Sequence, residues 1–422
     1  MGNTLATNDP VTAKITERGQ SKQQNIQYAA SGMKGLRATM EDKHLYTNEI
    51  RVEGASEAIV DHSLFAVFDG HGGDFTSAYA AEHFLKILAG RPEMKEYAQL
   101  SKTGSESRMD VNGIELLRKA LDGVFRELDE QLREVQQQKN DAIDNMPPKD
   151  PNDESLLAGN GQMYEHSGST CVVVLLTPSH VIGCNAGDSR AVLRRAGHTL
   201  PLSFDHKPSE VAEKDRITEA GGFVKARRVD GDLAVSRALG DFVYKTNEHL
   251  PTHKQKVIPN PDFVVYPRSI EEDEFVILAC DGIWDVASSK QCSDFVQQLL
   301  VEGESDLGVI CEEALDTCLE RNSKDNMTIL IVGLPGMKTA NSAMQLQNAV
   351  WGRRAVRQAR VFNLQASQLV QQLGIMSSPG GGKASPPASG VANGANADPT
   401  AVNNGFASHL QNTVAAQPIA AT

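Results

Sequence analysis

No stretch of the chain approaches the ~18 consecutive apolar residues that a membrane-spanning helix requires. The N-terminus is polar, so a secretory signal peptide is not expected. Cations are in deficit, with 41 Lys and Arg against 54 Asp and Glu and a formal net charge of −13. Binding to nucleic acid rests on neutralising phosphates with basic side chains, so nucleic acid is not an expected partner. Clustered carboxylates, in contrast, are ligands for divalent cations. The six cysteines, Cys171, Cys184, Cys280, Cys292, Cys311 and Cys318, include no CxxC pair. Several lie in apolar runs, where a free thiol acts as a small hydrophobe. The expectation is a reducing compartment, without disulfides and without a zinc site. No internal repeat is visible.

What is present suffices for a large core. Of 422 residues, 40% are hydrophobic, which suits one large domain or two ordinary ones. Apolar runs predict strands at Leu64–Phe68, Cys171–Leu176, Val181–Asn185, Ala191–Arg194, Phe275–Ala279 and Met327–Val332. Ile114, Leu117, Leu121, Phe125, Leu128 and Leu132 recur at helical steps. So do Leu307, Ile310, Cys311, Ala314, Leu315, Cys318 and Leu319, with Ser305 as the expected N-cap. Cys292, Phe295, Val296, Leu299 and Leu300 make a third stripe. These stripes read as core faces and imply no cofactor.

Residues 1–25 read as a polar, flexible segment and 138–166 as a polar surface loop. A second irregular stretch spans about 243–262, with Pro251, Pro259 and Pro261. Residues 335–376 read as a helical extension carrying Trp351 and the cluster Arg353, Arg354, Arg357 and Arg360 on a solvated face. From 377 to 422 almost nothing apolar is large, so the tail cannot offset its ordering entropy and reads as disordered. Gly2 follows Met1, the placement of an N-myristoyl acceptor, although Ala6 stands where Ser or Thr is usual. An accidental Met-Gly start is the other reading. A single acyl chain binds membranes marginally and reversibly, and Lys14, Arg18 and Lys22 are too dispersed to add a second signal. The expected location is cytoplasmic, with reversible membrane association as the consequence of lipidation at Gly2.

Chemistry enters at Asp69-Gly70-His71, directly after the buried run Leu64–Phe68. A carboxylate at the end of such a strand is held at the rim of a core. The glycine permits a sharp turn and leaves its carbonyl uncrowded, and the histidine is a titratable neighbour. A plain Asp-Gly turn is the bland alternative. The junction has a near-copy at Asp281-Gly282, after Phe275–Cys280. Asp325 precedes another strand, Asp188 follows a further one, and Glu41-Asp42 lie close to Arg37. Carboxylates gathered at the ends of buried strands repel one another and resist burial. Hard divalent cations resolve the repulsion, since Mg²⁺ and Mn²⁺ take oxygen ligands. Which acids are neighbours in space is not readable from the spacing.

Eight motifs occur in order: Gly35-Leu-Arg-Ala-Thr-Met-Glu-Asp42, Val67-Phe-Asp-Gly-His-Gly-Gly73, Gly168-Ser-Thr170, Asn185-Ala-Gly-Asp-Ser-Arg-Ala191, Asp205-His-Lys-Pro208, Leu233-Ala-Val-Ser-Arg-Ala-Leu-Gly-Asp241, Asp281-Gly-Ile-Trp-Asp285 and Ser323-Lys-Asp-Asn326. Together they resemble the metal-dependent serine/threonine protein phosphatases of type 2C over about residues 26–334. The resemblance implies an α+β fold, an αββα sandwich of two central antiparallel sheets flanked by helices, with 26–334 as the catalytic domain. It implies a monomer that hydrolyses phosphoserine and phosphothreonine on proteins by attack of a metal-activated water. Two Mg²⁺ or Mn²⁺ ions, with a weaker third, are implied as cofactors. Asp69 would bridge two of them, the Gly70 carbonyl would bind the second, and Asp281 and Asp325 would complete the first. Glu41 and Asp42 would hold waters, and Asp188 would serve the third ion, with Asp241 nearby. Arg37 would grip the substrate phosphate and His71 would protonate the leaving oxygen. The segment after His206, through Gly221-Gly222, would form a flap that bears on substrate choice. Leu36 and Ala191 depart from residues frequent in the family, and neither is an implied ligand. A catalytically dead phosphoprotein-binding regulator is the alternative from another class. It would be expected to lack a ligand acid, and none is missing here.

Overall fold

Two antiparallel sheets stack face to face in the computed structural model, which describes residues 10–100, 111–145 and 165–339. The strands are β1 (Val11–Ser21), β2 (Ile26–Gly35), β3 (Lys43–Thr47), β4 (Ser63–Phe68), β5 (Gly70–His71), β6 (Gly168–Ser169), β7 (Cys171–Leu176), β8 (His180–Ala186), β9 (Arg190–Arg195), β10 (His198–Pro201), β11 (Val224–Lys225), β12 (Arg228–Val229), β13 (Leu239–Gly240), β14 (Asp262–Pro267), β15 (Asp273–Ala279) and β16 (Met327–Gly333). The helices are α1 (Phe75–Gly90), α2 (Pro92–Leu100), α3 (Val111–Asp144), α4 (Val211–Glu219), α5 (Asp281–Trp284), α6 (Ser289–Val301) and α7 (Leu307–Glu320). One sheet runs β1-β2-β16-β15-β9-β10 and the other β14-β8-β7-β4-β3. Short strands form a β13-β6-β5 ladder and a β11-β12 hairpin.

Alternation of side chains along each strand builds the layers. Phe65 and Val67 of β4 meet Val276 and Leu278 of β15 and Leu330 of β16 between the sheets. Leu64, Ala66 and Phe68 point the other way, onto Phe84 of α1 and Leu121, Phe125 and Leu128 of α3. The six-stranded sheet sends Phe275, Ile277, Ile329 and Ile331 onto Val296 of α6 and Ile310, Cys311 and Leu315 of α7. The architecture is thus helices, sheet, sheet, helices. Both faces of the central strands are covered, which is why they read as unbroken apolar runs rather than alternating ones. All six cysteines are free and buried.

The structure departs from the sequence reading in several places, and adds elements that reading did not name, among them β2, α1, α2 and α4. Residues 11–21, read within a flexible segment, form β1, paired with β2 from Lys14↔Met33 to Ser21↔Ile26. Its polar side chains concealed it, yet they anchor it: Lys14 meets Asp316 at 2.6 Å and Arg18 meets Asp306 at 2.8 Å, both on the side of α7. The N-cap of α7 is Asp306, not Ser305, because its carboxylate accepts from Gly308 N at 2.8 Å. The loop expected over 138–166 begins later, since α3 continues to Asp144. Edge strand β3 carries too little continuous apolar character to have been legible, whereas β14 holds the apolar run Phe263–Tyr266, which was not read as a strand. Gly2, most of the 138–166 segment, the extension beyond residue 339 and the tail lie outside the described residues. Among the described residues no helix is long and apolar enough to cross a membrane.

Candidate active site

Antiparallel register brings the acid-bearing strand ends to one rim. β4 ends at Phe68 and delivers Asp69, while β15 ends at Ala279, opposite Ile329 of β16 and Arg190 of β9. Asp281 therefore emerges beside Asp325, which precedes β16, and beside Asp188, in the turn that precedes β9. The link from β2 to β3 carries Arg37, Glu41 and Asp42 over the same rim.

Carboxylate oxygens of Asp69, Asp188 and Asp281 lie within 4.8 Å of one another, and so do ligand atoms of Asp42, Asp69 and Cys280. Asp42 is buried, accepts from Thr328 Oγ1 at 2.7 Å through Oδ2, and buries Oδ1 without a hydrogen bond. Burial pushes its carboxyl up to about 6, against the pull of that hydrogen bond. Burial, then the charges of Asp42, Asp281, Asp188 and Asp325, push Asp69 well above the ordinary carboxylate range. Burial and the neighbouring Asp188 and Asp325 raise Asp281 to about 8, with Lys207 opposing. The acids are a mutually repelling, desolvated group.

Glycines at two positions make this crowding possible. A Cβ on Gly70 would lie 2.5 Å from the Glu41 carbonyl oxygen and 2.8 Å from Ser77 Oγ. A Cβ on Gly282 would lie 2.0 Å from the Asn326 carbonyl oxygen. Asn326 in turn ties the loop down: its Oδ1 accepts from Glu41 N at 2.8 Å, and its Nδ2 donates to the Lys34 and Thr39 carbonyls. Glu41 accepts from Thr39 Oγ1 at 2.6 Å and from Gly73 N at 3.2 Å.

Two cations touch the acids. Arg37 donates to Asp325 Oδ2 at 2.5 Å and keeps 57% of its side chain exposed. Lys207 forms an ion pair with Asp188. Burial alone would lower the Lys207 ammonium, but Asp188 and its neighbours raise it overall. Neither Lys207 nor Asp285, whose carboxyl is raised by burial despite Lys207, was singled out from sequence. Both sit inside quoted motifs, which was the available signal. His71 donates from Nε2 to Asp241, at 2.9 Å to Oδ1 and 2.8 Å to Oδ2. Burial opposes the charged imidazole, yet Asp241 outweighs it and the net direction is upward.

Cys280, between the acids, is no nucleophile. Its Sγ accepts from Thr328 N at 3.1 Å, and burial followed by the nearby carboxylates pushes the thiol well above its ordinary range. His206 is buried, donates from Nε2 to Asp262 and accepts from Gly187 N, so it braces the loop holding Asp188. Among the described residues, the predicted acids, Gly70, His71 and Arg37 all border one site.

The family described as Protein phosphatase 2C matches residues 26–327. The chain is 38% identical over 327 residues to Protein phosphatase 1A of Homo sapiens, covering 77% of this chain and 75% of that protein. It is 38% identical over 341 residues to Protein phosphatase 2C homolog 2 of Schizosaccharomyces pombe, covering 79% of this chain and 78% of that one. A solved serine-threonine phosphatase 2C from Toxoplasma gondii superposes with a TM-score of 0.58 at 23% identity, covering 76% of this chain and 99% of that one. At that identity the likeness is one of fold.

Proposed function

The chain belongs to the protein phosphatase 2C family, and from there we propose how this site carries out the family's metal-dependent hydrolysis of phosphoserine and phosphothreonine on proteins. The observation that supports the reading is the group Asp69, Asp188 and Asp281, with ligand oxygens inside 4.8 Å. Its neighbours Asp42 and Asp325 add charge, and Arg37 and Lys207 offset part of it. An all-oxygen, over-charged donor set with a buried unpartnered Asp42 Oδ1 fits hard divalent ions. Asp69, the Gly70 carbonyl, Asp281 and Asp325 would hold two Mg²⁺ or Mn²⁺ ions, with Glu41 and Asp42 behind them and Asp188 serving a weaker third. Such ions supply Lewis acidity toward water and toward the phosphate oxygens.

The protein's own groups do the rest. Arg37 turns part of its guanidinium fork to solvent, where it can take two phosphate oxygens in parallel. In the hydrolytic step, a water oxygen bonds to phosphorus, gives up one of its protons to solvent and leaves the other on the phosphate, while the bond to the seryl or threonyl oxygen breaks. The leaving oxygen keeps that electron pair and takes a proton from His71, which recovers one from solvent. No covalent enzyme intermediate is needed, in keeping with the buried, inert Cys280.

Phosphate release from a phosphoserine peptide tests this directly. Turnover is expected with Mn²⁺ or Mg²⁺ and is expected to stop on chelation with EDTA; undiminished turnover in EDTA would overturn the reading. The catalytic domain is assigned to 26–334 and the working unit to the monomer. Membrane association is the further element, through acylation of Gly2. Fractionation should then place part of the wild-type protein with membranes and none of the Gly2→Ala variant. A wild-type protein found wholly in the soluble fraction would rule it out.

A further inference from the structure

The ladder β13-β6-β5 is short, but its register is specific. His71 lies opposite Gly168 on one side of β6, and Gly240 lies opposite the same residue on the other. Asp241 follows Gly240. Its carboxylate crosses over Gly168 to meet His71 Nε2 at 2.8 Å. The contact depends on the missing side chain between them. A Cβ at position 168 would lie 2.3 Å from Asp241 Oδ2 and 2.4 Å from His71 Nε2. Any residue other than glycine would occupy the space in which the two groups meet.

The turn that presents Asp241 is strained and braced. Asp241 has φ 53°, a left-handed conformation that Asp and Asn tolerate better than most residues. Gly240 before it has φ 74°, and a Cβ there would lie 2.4 Å from the Ser167 carbonyl oxygen. From α3, Asp129 Oδ1 accepts from Gly240 N at 2.9 Å and from Lys245 Nζ at 2.6 Å. Lys245 Nζ also donates to the Ala238 carbonyl at 2.9 Å. Asp129 and Lys245 are buried, so loss of either partner would leave the other charge buried and uncompensated. Ser167 O accepts from Asp241 N, Thr76 Oγ1 and Gln136 Nε2. A strained backbone over-determined by its surroundings is a common mark of a functional position.

We propose that Asp241 is the positioning residue for His71. Reaching across Gly168, it accepts a hydrogen bond from Nε2–H, fixes the ring plane and leaves Nδ1 to deliver the proton to the leaving oxygen. Nδ1 makes no hydrogen bond among the described residues. The proposal rests on the reading of His71 as proton donor, and the proton balance is the one given above.

The test compares two substrates on the full-length protein with Mn²⁺. A phosphoserine peptide needs its leaving oxygen protonated, whereas p-nitrophenyl phosphate expels a stable phenolate. Asp241→Asn keeps a residue that tolerates the left-handed turn. It should lower the kcat for the peptide about 10-fold more than that for p-nitrophenyl phosphate. His71→Ala should show the same skew, and the double variant no additional skew. Gly168→Ala, which places a Cβ in the gap, should reproduce the skew of Asp241→Asn. In metal-free protein the His71 Nε2–H resonance should lose its hydrogen-bond shift in Asp241→Asn. A merely structural role would depress both substrates alike. Equal losses in Asp241→Asn beside a skewed loss in His71→Ala overturn the positioning role, as does an unmoved resonance. Absence of skew in His71→Ala instead removes the proton-donor reading, and the proposal with it.

Discussion

Asp69→Asn is expected to lower kcat/KM on a phosphoserine peptide by about 10³-fold or more while raising the melting temperature of the metal-free protein. The two effects share one cause. Asp69 faces the charges of Asp42, Asp281, Asp188 and Asp325 in a desolvated site. Without a counter-ion, an amide of the same shape removes repulsion and desolvation together, so the apo fold gains stability. With divalent ions present, the same amide would lack the charge and the second anionic oxygen that the proposed role of Asp69 as a metal ligand requires. Steady-state kinetics with Mn²⁺ and calorimetry in EDTA measure the two halves. Retention of most activity, or a lower melting temperature of the variant in EDTA, would contradict this account. A residue chosen only for packing would give the opposite pattern, with stability lost and chemistry spared.

Metal removal should also make stability depend on pH with a definite sign. Burial raises Asp42 to about 6 and, with Asp188 and Asp325, raises Asp281 to about 8, each from an ordinary 3.8. Between those limits the folded chain holds protons that the unfolded chain has released. Stability therefore falls as pH rises. The contribution is fully present below about 4 and is lost as pH climbs through about 6 and then about 8. Melting curves in EDTA at successive pH values from about 5 to about 8 should show a steady decline. Saturating Mg²⁺ should restore stability by binding the native state alone, with a gain that grows toward alkaline pH. Asp281→Asn should flatten the decline in EDTA. A melting temperature that is constant, or that rises over the same interval, would show that the acids are not mutually stressed. The positively charged neighbours Lys207 and Arg37 work against the effect and do not cancel it, since Asp281 stays raised with Lys207 opposing.

Legibility in the sequence followed burial. Leu64–Phe68, Cys171–Leu176 and Phe275–Ala279 were readable because both of their faces are covered, so their residues are apolar throughout. β1 was not readable. It is an edge strand whose stability comes from backbone pairing with β2 and from ion pairs to α7, and neither leaves an apolar pattern. Ser305 was the plausible cap by residue type alone; the geometry gave the role to Asp306, whose carboxylate reaches the first free N–H groups of α7.

The residue types at the rim, their ordered motifs and the excess of acid over base were determined by the sequence alone, and they point to hydrolysis assisted by divalent ions. Which acids share a site was decided by tertiary structure, since strand register, not spacing, sets Asp188 and Asp281 beside Asp69. The partner of His71 was decided in the same way. Residues 71, 168 and 241 are far apart in the chain. They become one unit only when β5 and β13 flank β6 and the glycine between them leaves room for an imidazole and a carboxylate to meet. Local propensity encodes strands and turns, whereas the approach of groups distant in sequence depends on how those strands pair.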